Sequence, residues 1–161
     1  MTIEIFNEIK KLRKNSKLMI IGDGYLKKAI IKQVYQLGLE NDVLFLGLQL
    51  NVSPYLSAMD AFLMPSIYEG LGIAAVEAQS EGLPTYISNK FPKEVTLTNL
   101  VRRFSLKQSP YSIANTIVDN IRKNIRNELT AKEIKKSNYS LNNTVRSFAN
   151  IYQGILNDEK N

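Results

Sequence analysis

Apolar residues in the first part of the chain follow two different spacings in turn. Within residues 3–14 they recur at intervals of one, three and three positions, at Ile5, Phe6, Ile9 and Leu12. This spacing places them on one face of an amphipathic helix. Residues 17–21 then form a short continuous apolar run, which is typical of a buried strand. The sequence therefore predicts a helix followed by an interior strand.

The same alternation continues along the chain. Apolar runs predict strands at residues 43–46, 61–64, 83–87 and 100–104, and helical patterns cover 26–37, 52–59, 73–80 and about 110–156. Strands that alternate with helices over short connections form parallel sheets with helices on both faces. We therefore expect an α/β fold with a doubly wound parallel sheet and a helical C-terminal segment. Without an internal repeat or linker, residues 1–161 are predicted to be one domain.

Composition limits the chemistry that is available. The chain has no cysteine and no histidine, which excludes disulfides, thiolate catalysis and the commonest metal ligand. Any reaction must use carboxylates, hydroxyls, lysines, arginines or backbone amides. No apolar run approaches the roughly 20 residues that span a bilayer, and residues 1–14 carry acidic side chains instead of a basic leader. We expect a cytoplasmic chain with no anchor of its own.

The net charge of +6 is unevenly distributed. Residues 1–100 hold ten basic and ten acidic residues, whereas residues 101–161 hold eleven and five. The basic side chains of the second part recur at helical spacing, which favours a solvated helix face over a membrane contact. They include Arg122, Lys123, Arg126, Lys132, Lys135 and Lys136. No basic motif is interleaved with aromatic residues, so a nucleic-acid partner is not expected. Peripheral contact with a membrane stays open.

Two loops follow predicted strands at the edge where open parallel sheets bind ligands. The first is Gly22-Asp23-Gly24, in which paired glycines let the backbone approach a ligand closely. A Gly-Asp-Gly turn is also a common way to reverse a chain, and on this motif alone that reading is favoured.

The second loop covers residues 65–72 and leads into the apolar helix predicted at 73–80. Gly70 and Gly72 flank the expected start of that helix, where unpaired N–H groups and the positive end of the helix dipole favour an anion such as a diphosphate. The glycines keep side chains out of its path.

Two glutamates accompany this loop. Glu69 precedes the helix, and Glu77 lies within it among apolar residues. Because an ionised carboxylate is costly to bury without a partner, we expect Glu77 to point into a polar pocket, where two ribose hydroxyls would satisfy it. The alternative is that Glu69 caps the helix and Glu77 pairs with a lysine.

The stretch from Leu44 to Pro84 resembles the signature of GT-B glycosyltransferase family four, the glycosyl transferases group 1. It contains FLG, an apolar strand before Pro-Ser, Glu69-Gly70-x-Gly72, Glu77-Ala78-Gln79 and Gly82-Leu83-Pro84. In that family two glutamates separated by seven residues mark the donor site. Residues 20–24 and the downstream helices extend the resemblance over nearly the whole chain. Residues 93–106 resemble the subgroup that builds bacterial exopolysaccharide and capsule.

The resemblance implies a Rossmann-like donor-binding domain and a role for each candidate residue. Glu69 would lie against the transferred sugar as the catalytic residue, and Glu77 would hold the ribose. The amides of Gly70, Leu71 and Gly72 would bind the diphosphate, and the Gly22, Asp23 and Gly24 loop would close over the donor. Transfer would retain the anomeric configuration and need neither a metal nor a cofactor, because helix-terminal amides stabilise the leaving charge.

The resemblance also implies parts that this sequence does not contain. In that family the acceptor-binding domain precedes the donor-binding domain, and the first donor-domain strand carries Gly-Arg and is followed by Lys-Gly, whose basic side chains bind phosphate. We expect both to be absent here and the chain to be inactive alone.

The expected function is the transfer of a sugar from a nucleotide diphosphate sugar, most often a UDP-sugar in the resembling family, to a saccharide or lipid-linked acceptor. Two other classes remain open. One is a non-catalytic nucleotide-binding module, and the other is an interaction domain that docks on a membrane or on an acceptor-domain protein.

Overall fold

In a computed structural model, the structure describes residues 1–123, 130–137 and 139–158, and every element predicted from the sequence pattern is present there. The strands are β1 Leu18–Ile21, β2 Val43–Gly47, β3 Phe62–Met64, β4 Thr85–Ser88 and β5 Val101–Phe104. The helices are α1 Thr2–Leu12, α2 Lys27–Gln36, α3 Ser53–Ala58, α4 Ile73–Ser80, α5 Pro110–Arg122, α6 Thr130–Lys135 and α7 Leu141–Asp158. The prediction of helices over 110–156 also covers residues 124–129 and 138, which lie outside the described residues.

All the strands pair in parallel, which confirms the predicted α/β class. They form two sheets, however. β1 pairs with β2 in a two-stranded sheet, and β3, β4 and β5 form a three-stranded sheet in that order. The edge strands β1 and β3 line the same cavity but are not hydrogen-bonded to each other.

Helices cover both faces of the three-stranded sheet. Successive side chains of a strand point to opposite faces, and in β4 the buried Tyr86 packs with Ile113 of α5 while the buried Ile87 packs with Ala75 of α4. The apolar sequence of β4 is therefore explained by two helix layers, one on each side.

The first helix, α1, packs against both sheets. Its buried Ile5 lies in the core of the three-stranded sheet with Tyr86, whereas Ile3 and Phe6 lie in a second core with Val43 of β2. The apolar face predicted for this helix thus holds the two sheets side by side.

Charged groups fix the same helix to the two-stranded sheet. The Asp42 carboxylate, just before β2, lies 2.7 Å from Lys10 Nζ of α1 and 2.8 Å from Lys17 Nζ at the start of β1. The hydrogen bond from Lys10, and after it the weaker effect of the one from Lys17, hold the pKa of Asp42 below its ordinary value. This ion pair contributes its stability at neutral pH and loses it as the pH falls through the lowered pKa.

A buried amide connects α4 to the segment before β5. Gln79 is fully buried, and its Nε2 donates to the carbonyls of Ala75 and Val95 at 2.9 and 2.8 Å. Its Oε1 accepts from the N–H groups of Leu97 and Thr98 at 3.0 and 3.1 Å. Since the donors and the acceptor of this amide are all used, its burial is compensated.

The C-terminal helices present exposed side chains of two kinds. Arg122, Lys123 and the basic residues of positions 132–136 are exposed, and Arg126 lies outside the described residues. On α7 the exposed side chains include apolar ones, at Val145, Phe148, Ile151, Tyr152 and Ile155. In the part of the chain that the structure describes, no helix has both the length and the apolar character needed to cross a membrane.

Replacing Gln79 with leucine removes the network while keeping the side chain's approximate size. We expect Gln79→Leu to lower the free energy of unfolding by about 2–4 kcal/mol, because the Leu97 and Thr98 amides and the Val95 carbonyl lose their partner. Urea denaturation followed by circular dichroism measures the change. Gln36→Leu, at an exposed position on α2, is the matched control and should change stability by less than about 0.5 kcal/mol. Equal effects of the two substitutions would contradict the importance of the buried amide.

Candidate functional site

The loop of residues 65–72 connects the end of β3 to the start of α4. Pro65 ends the strand, and the Ser66 carbonyl accepts a hydrogen bond of 2.6 Å from Ser88 Oγ at the end of β4. Because the buried Ser88 belongs to the neighbouring strand, this bond fixes the beginning of the loop to the carboxyl edge of the sheet. The sequence pattern gave no indication of this contact.

Gly72 sets the geometry at the start of α4. It is the N-cap residue, with a left-handed φ of 68°, and a Cβ atom added there would lie 2.8 Å from the ring of Phe91. Any other residue would be strained by its φ and would also collide with that ring. Because Gly72 has no side chain, the start of α4 packs closely against Phe91, which lies in the connection between β4 and β5.

The backbone at this helix start is open to a ligand. No described group accepts a hydrogen bond from the N–H of Gly70, Leu71 or Gly72. Gly70 and Leu71 are exposed, whereas Gly72 is buried. Unpaired N–H groups at a helix N-terminus attract an anion. The position predicted for a diphosphate is thus available for one.

Glu69 does not cap the helix. The half-buried Glu69 accepts a hydrogen bond of 3.3 Å from Ser66 Oγ through its Oε2. At Gly72, the N-cap of α4, no side chain supplies a capping hydrogen bond. The capping alternative for Glu69 is therefore not realised in this structure.

Glu77 is exposed on α4, so the apolar residues around it in the sequence do not bury it. The helix is not covered on all sides, since Ile73 is exposed as well, and its buried polar residue is Gln79. Glu77 does line a cavity together with Pro65 and Ser66. Among the described residues, no lysine or arginine nitrogen lies within 4.0 Å of the Glu77 carboxylate, so the alternative ion pair is not seen either.

The Gly22-Asp23-Gly24 loop is built as a local turn after β1. Gly22 has a φ of 117°, and its N–H donates to the Gly47 carbonyl at 2.7 Å. The Asp23 carboxylate accepts from Lys27 Nζ and from the Gly24 N–H, both at 2.7 Å. Both hydrogen bonds lower the pKa of Asp23, and the one from Lys27 has the larger effect. They satisfy the carboxylate within the turn, which agrees with the chain-reversal interpretation, and they place the Lys27 cation beside the loop.

The cavity beside Glu77 has a volume of about 820 Å³ and lies between the two sheets. Ile21, at the end of β1, and Met64, at the end of β3, both line it. Glu77, Ser66 and the end of β1 thus line one cavity. Glu69 is hydrogen-bonded to Ser66. The described contacts do not connect the Gly22 to Gly24 loop to the open amides of Gly70 to Gly72.

Comparison with known proteins identifies the family. Residues 1–141 match the family model described as glycosyl transferases group 1. The chain belongs to this glycosyltransferase family. The resemblance inferred from the paired glutamates and the glycine loop is thereby confirmed.

Relatives of this glycosyltransferase chain share its sequence over part of their length. EpsF of Bacillus subtilis, named as a glycosyltransferase, is 42% identical over 103 residues, which are 63% of this chain and 27% of EpsF. The UDP-Gal:alpha-D-GlcNAc-diphosphoundecaprenol alpha-1,3-galactosyltransferase of Escherichia coli is 40% identical over 77 residues, or 47% of this chain and 20% of that enzyme. The chain spans less than a third of the length of these relatives.

Solved structures confirm the fold. The crystal structure of Alr3699/HepE from Anabaena in complex with UDP superimposes with a TM-score of 0.80 at 18% identity, and covers 96% of this chain and 45% of that one. The TarM structure gives a TM-score of 0.78 at 21% identity over 94% of this chain and 31% of TarM. The architecture is that of GT-B glycosyltransferases, Rossmann-like with a helical C-terminal segment.

The collision at Gly72 can be separated from the cost of its positive φ. Gly38 has a similar φ of 66°, but a Cβ added there meets nothing within 4 Å. We expect Gly38→Ala to cost about 1 kcal/mol, the backbone cost alone. Gly72→Ala should cost about 2–4 kcal/mol, because overpacking against Phe91 is added. Thermal unfolding of both variants checks this difference. Equal melting temperatures would show that the loop at Gly72 is free to move away from the ring.

Proposed function

We propose that this chain is the nucleotide-sugar-binding domain of a retaining glycosyltransferase that transfers a sugar from a nucleotide diphosphate sugar. The observation that carries the proposal is the row of unpaired amides at Gly70, Leu71 and Gly72, of which the first two are exposed, together with an exposed Glu77 on the helix that follows. The first group of atoms suits a diphosphate, and the second suits the hydroxyls of a ribose. Family membership and the similarity to a HepE structure in complex with UDP-glucose support this assignment.

The diphosphate would lie at the start of α4. Three adjacent N–H groups and the helix dipole supply partial positive charge, which stabilises the phosphate both in the bound donor and as a leaving group. Gly72 adds no side chain at this helix start, where a Cβ atom would collide with the Phe91 ring. Transfer without a metal stays a prediction.

Glu77 would accept hydrogen bonds from the two ribose hydroxyls. Its carboxylate is exposed at the cavity and has no described cation close to it, so its oxygens are free to accept from a ligand. Hydrogen bonds to an ionised acceptor are stronger than neutral ones. The exposure of the Glu77 side chain therefore suits a binding role well.

Glu69 would lie against the transferred sugar. Its bond to Ser66 Oγ holds the carboxylate on the loop between β3 and the diphosphate amides. From that position it would stabilise positive charge that develops at the anomeric carbon while the acceptor hydroxyl arrives on the face that the diphosphate leaves. This arrangement retains the anomeric configuration.

The acceptor and the second domain are proposed from the relatives. The Escherichia coli relative is named for transfer from UDP-Gal to a diphosphoundecaprenol-linked sugar, and EpsF and the Vi polysaccharide protein of Salmonella typhi belong to the similar sequences. We propose a saccharide or lipid-linked acceptor, bound by a partner domain, at the inner face of a membrane. The alternative function is a non-catalytic nucleotide-binding module. Such a module would bind nucleotide but transfer no sugar when the acceptor-binding domain is supplied.

Charge removal at Glu77 tests the ribose contact. We expect UDP to bind this chain with a dissociation constant of roughly 0.1–1 mM. Glu77→Gln should weaken binding by about 1–3 kcal/mol, because two charge-assisted hydrogen bonds are lost. Isothermal titration calorimetry measures both values. Glu40→Gln, another exposed glutamate, is the control and should bind UDP as the parent does. Unchanged affinity together with a lower melting temperature would make Glu77 a structural residue.

Glu69 is tested in a transferase in which this chain is joined to an acceptor-binding domain. Because its contribution belongs to the transition state, Glu69→Ala should lower kcat/KM by roughly 10²-fold, about 2.7 kcal/mol, and leave UDP affinity nearly unchanged. Steady-state transfer assays and UDP titration separate the two effects. Full turnover by Glu69→Ser would remove Glu69 from catalysis, since serine supplies a hydrogen-bonding oxygen but not the charge.

A further inference from the structure

The turn that follows β4 lies against the start of α4. The Phe91 N–H donates to the Ser88 carbonyl at 3.3 Å, which closes a β-turn. Asn89 and Lys90 occupy its two central positions. The Phe91 ring then packs 2.8 Å from the place where a Cβ atom of Gly72 would lie. The neighbour of Lys90 in the chain therefore contacts the N-cap of the helix at which we propose that the diphosphate binds.

Hydrogen bonds to two neighbouring segments hold this turn in place. Ser88 Oγ donates to the Ser66 carbonyl in the loop before α4 at 2.6 Å, and it accepts from the Lys90 N–H at 3.2 Å. On the other side, the guanidinium group of Arg103 in β5 donates to the Phe91 carbonyl. Exposed connections are ordinarily more mobile than the elements that they join. Here the backbone of Lys90 is fixed relative to the loop that carries the open amides.

Lys90 has a positive charge that the chain does not neutralise nearby. Its side chain is exposed, and, counting only residues that the structure describes, no carboxylate oxygen lies within 4.0 Å of its Nζ. A lysine side chain is flexible and extends roughly 6 Å from its Cα atom. Because the turn contacts Gly72, the ammonium group is placed to contact an anion bound at the adjacent amides.

The position of Glu69 indicates which phosphate is nearest to Lys90. The Cγ atom of Glu69 lies 3.5 Å from the same Gly72 Cβ position that the Phe91 ring approaches. Since Glu69 is proposed to lie against the transferred sugar, the phosphate on this side is the β-phosphate, which carries that sugar. The Glu69 carboxylate adds negative charge there, and the amides supply only partial positive charge. A full cation beside the β-phosphate would offset both negative groups.

We infer that Lys90 is a phosphate-binding residue whose ammonium group contacts the β-phosphate of the bound nucleotide. A lysine binds phosphate as a point charge, and its flexible stem adjusts to the position of the anion. This inference rests on the proposed function, because it requires a diphosphate at the start of α4. It adds a preference for nucleoside diphosphates over monophosphates that the backbone amides alone do not explain.

Titration with UDP and with UMP, followed by the NMR shifts of backbone amides, tests this contact. Lys90→Met keeps the length of the side chain and removes its charge, so it should weaken UDP binding at least about fivefold. UMP lacks the β-phosphate, and its affinity should change less than about twofold. Lys90→Arg retains the cation and should keep UDP affinity within about twofold of the parent.

The matched control is Lys123→Met, which removes the charge of another exposed lysine, at the C-cap of α5. It should bind both nucleotides as the parent does. Circular dichroism checks that every variant is folded, and substitutions at these exposed positions should change stability by less than about 0.5 kcal/mol. Lys90→Gln gives a second neutral variant with a polar side chain and should match Lys90→Met.

Three outcomes would overturn the role of Lys90. Equal losses of UDP and UMP affinity would show that the lysine does not contact the β-phosphate. Unchanged UDP affinity in both neutral variants would remove Lys90 from the site. Unchanged UDP affinity with weaker binding of UDP-glucuronate would place the lysine at a carboxylate of the sugar. Each of these results leaves the proposed function standing if the parent binds UDP, whereas a parent chain that binds no UDP rejects both.

Discussion

The structure depends on one helix that holds two sheets together without a hydrogen bond between them. The apolar face of α1 divides its side chains, with Ile5 in the core of the three-stranded sheet and Ile3 and Phe6 in the core of the two-stranded one. The Lys10 ion pair with Asp42 adds a polar contact on the second side. Side-chain packing therefore sets the position of the loop after β1 relative to the loop after β3. Such packing is less directional than hydrogen bonds between paired strands.

The candidate site gains its order from the three-stranded sheet. Ser88 fixes the loop after β3, and Phe91 and Gly72 fix the entry into α4, so the open amides are attached to a rigid edge. Buried Gln79 holds the far side of the same helix to the segment before β5. An anion site made of backbone amides needs this support, because its donors bind well only when their positions are fixed before the ligand arrives.

Local patterns were sufficient to predict the elements, and the helix over 73–80 was predicted with its observed bounds because apolar spacing and flanking glycines are local signals. The division into two sheets was not predictable, since strand pairing depends on contacts distant in the chain. The exposure of Glu77 could not be predicted either, because helix composition does not show which side of a helix a neighbouring layer covers. Sequence patterns also missed two contacts between residues distant in the chain. One is the hydrogen bond of Ser88 to Ser66, and the other is the contact of the Phe91 ring with Gly72.

The central claim is that the diphosphate of a nucleotide binds at the start of α4. It is tested most directly by following backbone amide resonances of this chain by NMR during titration with UDP, with uridine as the comparison. UDP should shift the Gly70, Leu71 and Gly72 amides most, and uridine, which lacks the phosphates, should leave these three nearly unchanged. Shifts confined to the exposed basic residues at positions 132–136 would show that UDP is attracted by surface charge alone, and would contradict the assignment of this site.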